Sequence, residues 1–294
     1  MKCIKIILAL LMLSSLNTFA QQDPNRAFYR YNMNLVNPAY AGAHDGSEIG
    51  VNFRTQWVSV QGAPETQSAF FSTQMKKNVG LGISVINDRT FVENQTAIAA
   101  DFSYRLKLGT NSDLYLGIKA GATSYNVNTA GLVTFDIMSD PSLSGIDGGF
   151  IPTVGAGAYI KGESYFLALS IPNFLTTDRL EQNDGVAKLG QSRTHIYLAA
   201  GYDFNISENL VFKPSTILQY VEDAPLSLNF TAAFRIKDRI ELGGMYRLDE
   251  GFGGLFLFNA ADWVDLGYAY ESAYDSPVQA ASQGTHEVFI KLKL

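Results

Sequence analysis

LSLNFTAAFRIKDRIELGGMYRLD, residues 226–249, decides the fold. In its first half Leu226, Leu228, Phe230, Ala232 and Phe234 alternate with Ser227, Asn229, Thr231, Ala233 and Arg235. In its second half Ile240, Leu242, Gly244, Tyr246 and Leu248 alternate with Glu241, Gly243, Met245, Arg247 and Asp249. Side chains two positions apart share one face of a strand, so each half carries an apolar face and a small or polar face. Lys237-Asp238 joins the halves as the tip of a hairpin. The same period recurs in Val79 to Val85, Ile98 to Lys107 and Val264 to Glu271.

Working outward from this hairpin divides the chain into about fourteen strands. They lie near residues 47–60, 66–75, 79–90, 95–108, 112–126, 151–160, 163–171, 194–205, 209–221, 225–236, 239–248, 252–260, 263–271 and 284–294. Most reach the roughly 9 to 11 residues that a tilted strand needs to cross hydrocarbon, against about 5 or 6 in soluble sheets. Alternate connections are short: Lys76 to Asn78, Gly109 to Asn111, Lys161-Gly162, Ser207-Glu208, Lys237-Asp238 and Ala261-Asp262. The long ones, near 127–150, 172–193 and 272–283, fall in the other set, which is the short-turn, long-loop asymmetry of outer-membrane barrels. The expected fold is therefore all-β, a transmembrane antiparallel barrel over residues 47–294, with Gly284 to Leu294 closing the sheet onto the first strand.

Lipid dictates the rest. Backbone N–H and C=O groups in hydrocarbon must pair within the protein, so the sheet closes and faces lipid with its apolar side. The charged residues Arg54, Arg105, Lys119, Arg235, Glu241, Arg247, Asp265, Lys291 and Lys293 all fall in the opposite parity, which predicts a polar lumen. Trp57, Tyr125, Tyr202, Tyr220 and Tyr270, toward strand ends, read as interfacial girdle residues.

Composition agrees. The chain has 294 residues, with 47% hydrophobic and only 17% charged, and its aromatic residues are mostly tyrosine and phenylalanine, a balance that favours strands over helices. Residues 1–20 read as a secretory signal peptide: Lys2 and Lys5 form a basic start, Ile6 to Leu13 an apolar stretch, and Thr18-Phe19-Ala20 a small-residue cleavage pattern. Cleavage there removes both lysines and no acidic residue, so a formal net charge of −6 becomes more negative and nucleic acid is not an expected partner. The single cysteine, Cys3, leaves with the leader, and no disulfide, thiolate nucleophile or cysteine metal site remains.

Residues 21–46 do not alternate. Pro38 biases Asn37 toward extended geometry and Gly42 and Gly46 permit tight bends. A polar, aromatic-studded segment of this length either folds into the lumen as a plug or hangs as a periplasmic arm.

Asn37-Pro38-Ala39-Tyr40-Ala41-Gly42, then Arg54-x-Gln56-Trp57, Gly62-Ala63-Pro64 with Thr66, and Gly80-Leu81-Gly82 with Asn87-Asp88 resemble the PorP/SprF family of type IX secretion system outer-membrane proteins of Bacteroidota. The specific part of the resemblance is the first seventy or so residues. It implies a non-enzymatic accessory role. The chain would support secretion or surface attachment of a partner adhesin with a C-terminal sorting domain, in some members for gliding motility, in association with other secretion components, periplasmic ones included. Strand parity places Arg54 and Gln56 inside the barrel, where they either hold the N-terminal segment or, for Arg54, pair with a nearby carboxylate; Asn37, Pro38, Ala39, Tyr40 and Gly42 are the segment's candidate lumen contacts. Transport of small or apolar solutes is the competing reading, because fatty-acid transport barrels also combine about fourteen strands, a plug and an Asn-Pro-Ala motif.

No cofactor is expected. His44, His195 and His286 have no metal-ligand spacing, and His195 beside Thr194 and Ser192 makes a poor catalytic pair, since strand neighbours point to opposite faces. Asp136, Asp140 and Asp147 lack the ordered spacing of a calcium loop, and Gly155-Ala156-Gly157 lacks the helix and lysine of a phosphate loop. Partner contact falls to the long loops, through Leu132, Phe135, Ile137 and Met138 in one and Phe174 and Leu175 in another, unless these fold back over the lumen.

Overall fold

The computed structural model describes residues 26–127, 149–175, 193–222, 224–248, 250–273 and 281–294. Its strands are β1 (Ser47–Thr55), β2 (Glu65–Lys76), β3 (Val79–Thr90), β4 (Glu93–Lys107), β5 (Ser112–Val127), β6 (Gly149–Gly162), β7 (Tyr165–Ile171), β8 (His195–Tyr202), β9 (Phe204–Ser207), β10 (Leu210–Val221), β11 (Ser227–Ile236), β12 (Ile240–Arg247), β13 (Gly251–Ala261), β14 (Val264–Ala273) and β15 (Thr285–Lys293). All neighbours run antiparallel, and β15 pairs with β1 from Glu48↔Lys293 to Thr55↔His286, so the sheet closes into a barrel. β8 and β9 both pair with β10. They are one stave broken at Asp203, which leaves the fourteen staves that the alternation predicts.

Three of the differences from the periodic reading have a local cause. The first strand stops at Thr55, because Gln56 to Pro64 fold into a loop in which Trp57 and Ser59 take left-handed φ values of 47° and 79° and Gln56 N bonds Pro64 O at 2.9 Å. The stave expected over 194–205 is interrupted at Asp203, whose carboxylate is drawn to Arg30. The turn expected at Lys161-Gly162 lies two residues later, since β6 stays paired through Ser112↔Gly162.

The wall obeys its parity. Ile83, Ile98, Phe102, Ile118, Phe230, Leu242 and Val288 are exposed outward, whereas Ser84, Asp101, Lys119, Thr231, Glu241 and Glu287 are buried inward. The nine charges that the sequence analysis names as inward all take part in ion pairs: Arg54–Glu271 and Glu287, Arg105–Asp113, Lys119–Asp101, Arg235–Glu241, Arg247–Glu271, Lys291–Glu48 and Lys293–Asp265. Tyr202, Tyr220 and Tyr270 point outward as girdle residues do, but Tyr125 is buried, because it shares the inward parity of Tyr115 and Lys119.

The interior is less uniformly polar than charge parity predicts. Tyr115, Tyr159, Phe166, Tyr197, Ile217, Met245, Leu255, Leu257 and Phe289 are inward and buried. They pack in two clusters, and both clusters are completed by residues from 26–46. That segment lies inside the cylinder. The amides of Ala27 and Phe28 bond Glu287, one register position from the long-loop end of the β1–β15 pair, and the chain then descends through short 3-10 turns at Met33–Leu35 and Pro38–Tyr40 to Gly46 at the short-turn end.

Candidate functional site

Sequence places one group of candidates in the barrel interior, and Asn37, Pro38, Ala39, Tyr40, Gly42 and Arg54 have definite positions there. Asn37 is buried: its Oδ1 accepts the Ala39 amide at 2.9 Å and caps the 3-10 turn, while its Nδ2 donates to Ala158 O at 3.1 Å on β6. Pro38 suits this start, because the turn's first residue needs no amide hydrogen and its φ is already fixed. Ala39 has 0% exposure and seats against Gly117. Tyr40 meets His44 and Tyr159 edge-on at 4.9 and 5.2 Å between ring centres. Gly42 has φ +66°, its amide bonds Ser72 Oγ at 2.8 Å, and a Cβ there would meet Gly80 Cα at 2.6 Å, so backbone angle and close approach both require glycine.

Arg54 is 2% exposed and acts through carboxylates. Its Nη1 lies 2.6 Å from Glu271 and 2.9 Å from Glu287. Glu287 is the joint: it accepts from Ala27 N at 2.9 Å, from Asn52 Nδ2 at 2.7 Å and from Arg54. Arg54 thus pairs with two carboxylates, and one of them, Glu287, also accepts the amide of Ala27. Gln56 lies beyond β1 in the loop, half-buried. Phe174 and Leu175 are exposed, with Phe174 N bonded to Val154 O at 2.7 Å; Leu132, Phe135, Ile137 and Met138, with the three aspartates of their loop, lie outside the described residues.

Several residues that hold the segment are not in the motif. Tyr31 OH donates to Glu241 at 2.5 Å and accepts from Lys213 Nζ at 2.5 Å. Tyr29 OH bonds Ser215 Oγ at 2.8 Å, Ser103 Oγ donates to Ala41 O at 2.5 Å, and Lys161 Nζ donates to Ala43 O at 2.7 Å. Small residues make room. A Cβ on Gly117 would stand 2.2 Å from Ala39 N, on Gly157 2.1 Å from Asn37 Oδ1, and on Gly80 2.1 Å from Ala41 O. These notches were legible as inward glycines; their occupant was not. His44, bonded to Tyr40 OH, sits at the short-turn end, where burial first and then Lys291, Lys161 and Lys293 hold its pKa well below the usual histidine value. No group of three or more metal-ligating side chains gathers among the described residues.

A cavity of about 340 Å³ opens at the short-turn end, lined by His44, Asp45, Arg105, Lys161 and Glu163 among others. Its charges are mixed, and Arg105 is already paired with Asp113 at 2.7 Å.

A family model described as type IX secretion system membrane protein PorP/SprF matches residues 18–292, nearly the whole chain. The chain belongs to this family. No curated protein matches it. Solved structures similar to it include a triple mutant of Rhodopseudomonas blastica porin (9% identity, 85% of this chain and 99% of that chain, TM-score 0.37) and the KdgM porin (9%, 84% and 99%, 0.39). The NanC porin is similar at 8% identity, over 84% of this chain and 100% of that chain, with a TM-score of 0.44. As a PorP/SprF protein with a lipid-facing wall, the chain is a type IX secretion outer-membrane barrel.

Proposed function

We propose that this PorP/SprF chain is a non-enzymatic accessory of type IX secretion that binds an exported adhesin through the adhesin's C-terminal sorting domain and supports its secretion or surface attachment. The signal peptide expected over residues 1–20 would deliver it to the periplasm for insertion. The observation that carries this reading is the filled interior. Ala39 and Ala41 have no exposure, Phe28 and Met33 are buried, and the segment bonds strands on all sides of the cylinder. A barrel so occupied serves as a rigid stand for recognition on its outer surface, where long loops offer Phe174 and Leu175. The 26–46 segment then acts as a plug, and Arg54, through Glu287, keeps it seated.

The test is a pull-down of the detergent-solubilised full-length protein from its native host. The expected result is co-purification of a large surface protein, lost when that protein's C-terminal domain is deleted. Failure to retain any secreted protein, together with solute flux through the purified barrel alone, favours the transport reading.

A further inference from the structure

The outward faces of the staves do not end alike. On β12, β13 and β14 large apolar or aromatic side chains continue close to the long-loop end, with Tyr246, Phe252 and Tyr270 exposed there. On β2 to β5 the outward series changes character. Ala69, Val85, Ile98 and Ala122 are followed by Gln67, Asn87, Thr96 and Ser124, which stand side by side across the sheet, and Ser124 faces Phe150 of β6. The next outward set is Glu65, Arg89, Asn94 and Asn126.

Length explains where this surface stands. β4 has 15 residues and β5 has 16. Both start from the short turn between them, and both exceed by roughly five residues what a tilted strand needs to cross hydrocarbon. Their surplus rises above the lipid chains on the outer side and turns a polar apron toward the headgroups.

The apron is organised rather than merely wet. Asn87 Nδ2 donates to Asn94 Oδ1 at 2.7 Å and to Thr96 Oγ1 at 2.8 Å, which fixes these side chains across the β3–β4 pair. Two bare rings flank it. Phe150 is 83% exposed, and Phe91, at the β3–β4 turn, is 62% exposed while held at φ +53° with its amide on Gly62 O at 2.9 Å. A bulky residue in the left-handed region is strained, and water alone rewards neither that strain nor an exposed ring.

We propose that this apron binds the sugar headgroup of an outer-leaflet glycolipid. A lipid whose chains lie on Val85, Ile98 and Ala122 places its headgroup on the row above, so the surface continues an interface the barrel already has. Sugar hydroxyls both donate and accept, matching amide and hydroxyl side chains, and their C–H faces pack on exposed rings. Charge points the same way: Arg89 stands opposite Glu65, so the apron offers little net charge to a phosphate and its specificity falls to neutral hydroxyls.

The test is native mass spectrometry of the purified full-length barrel titrated with a lipopolysaccharide and, separately, with phosphatidylethanolamine, which carries acyl chains and no sugar. The expected result is preferential binding of the sugar-bearing molecule. The double variant Asn87→Ala/Asn94→Ala, or Phe150→Ala alone, should weaken that binding about tenfold, the factor that one or two hydrogen bonds of ordinary strength, or one ring contact, carry. Equal binding of the two lipids, or variants that bind as wild type, would overturn the proposal. A benzophenone attached at Asn94→Cys in living cells separates glycolipid from protein: a glycolipid adduct supports the assignment, and an adduct with another protein refutes it.

Discussion

Glu287 shows how one carboxylate ties the barrel to its contents. It bonds the first two amides of the buried segment that follow Arg26, a neighbouring asparagine and Arg54, with 1% of its surface exposed. Removing one partner of a buried ion pair costs roughly 3 to 5 kcal/mol, because the remaining charge is left without compensation. Since Glu271 still faces Arg54, Glu287→Ala should fall at the low end of that range. It should lower the thermal midpoint in detergent and open residues 26–46 to protease; a midpoint and cleavage pattern like wild type would contradict the role. His44 adds a dependence on acidity. Its pKa is depressed in the folded state, so the neutral ring is favoured there, and stability is full above the ordinary histidine value near 6.5 and falls as the pH drops below it. Protease access to the segment should therefore rise between pH 7.5 and pH 5, and His44→Gln should flatten that rise.

At the scale of elements, the staves and the segment differ in what their sequence discloses. A strand wall repeats every two residues, so Val79 to Val85 and Leu226 to Arg235 reveal fold, closure and inward charge directly. An irregular segment has no period, and its location depends on what complements it. The complement was present in the sequence as a breach of parity: Leu255, Leu257 and Phe289 are apolar at inward positions, which a water-filled lumen does not favour, and Gly80, Gly117 and Gly157 are inward notches. Glu287 had the correct parity too, but nothing local connects it with Ala27 across 260 residues. Gly117→Val tests the notch. Its side chain would collide with Ala39 N, so the segment should become protease-sensitive while β-sheet circular dichroism persists; Gly149→Ala, with nothing within 4 Å, should change neither. The wall is tested by Ile118→Arg, which faces lipid in the middle of β5 and should cost about 2 to 4 kcal/mol, against about 0 to 1 for Phe150→Arg at the rim. The comparison is the fraction that folds into vesicles, and equal yields would place the lipid boundary wrongly.

For the whole molecule, the barrel's features divide by depth. Short turns and a small polar cavity mark one end, a lipid-facing band surrounds the middle, and long loops with a raised polar apron on β2 to β5 mark the other. The proposed role places the work of this type IX secretion protein at its surfaces, since residues of the 26–46 segment pack against the inward side chains of the wall. Conductance of the purified full-length barrel in a planar bilayer tests that claim most directly. The expected record shows insertion without a sustained open channel, whereas steady, ohmic, porin-sized conductance from the intact protein would contradict it.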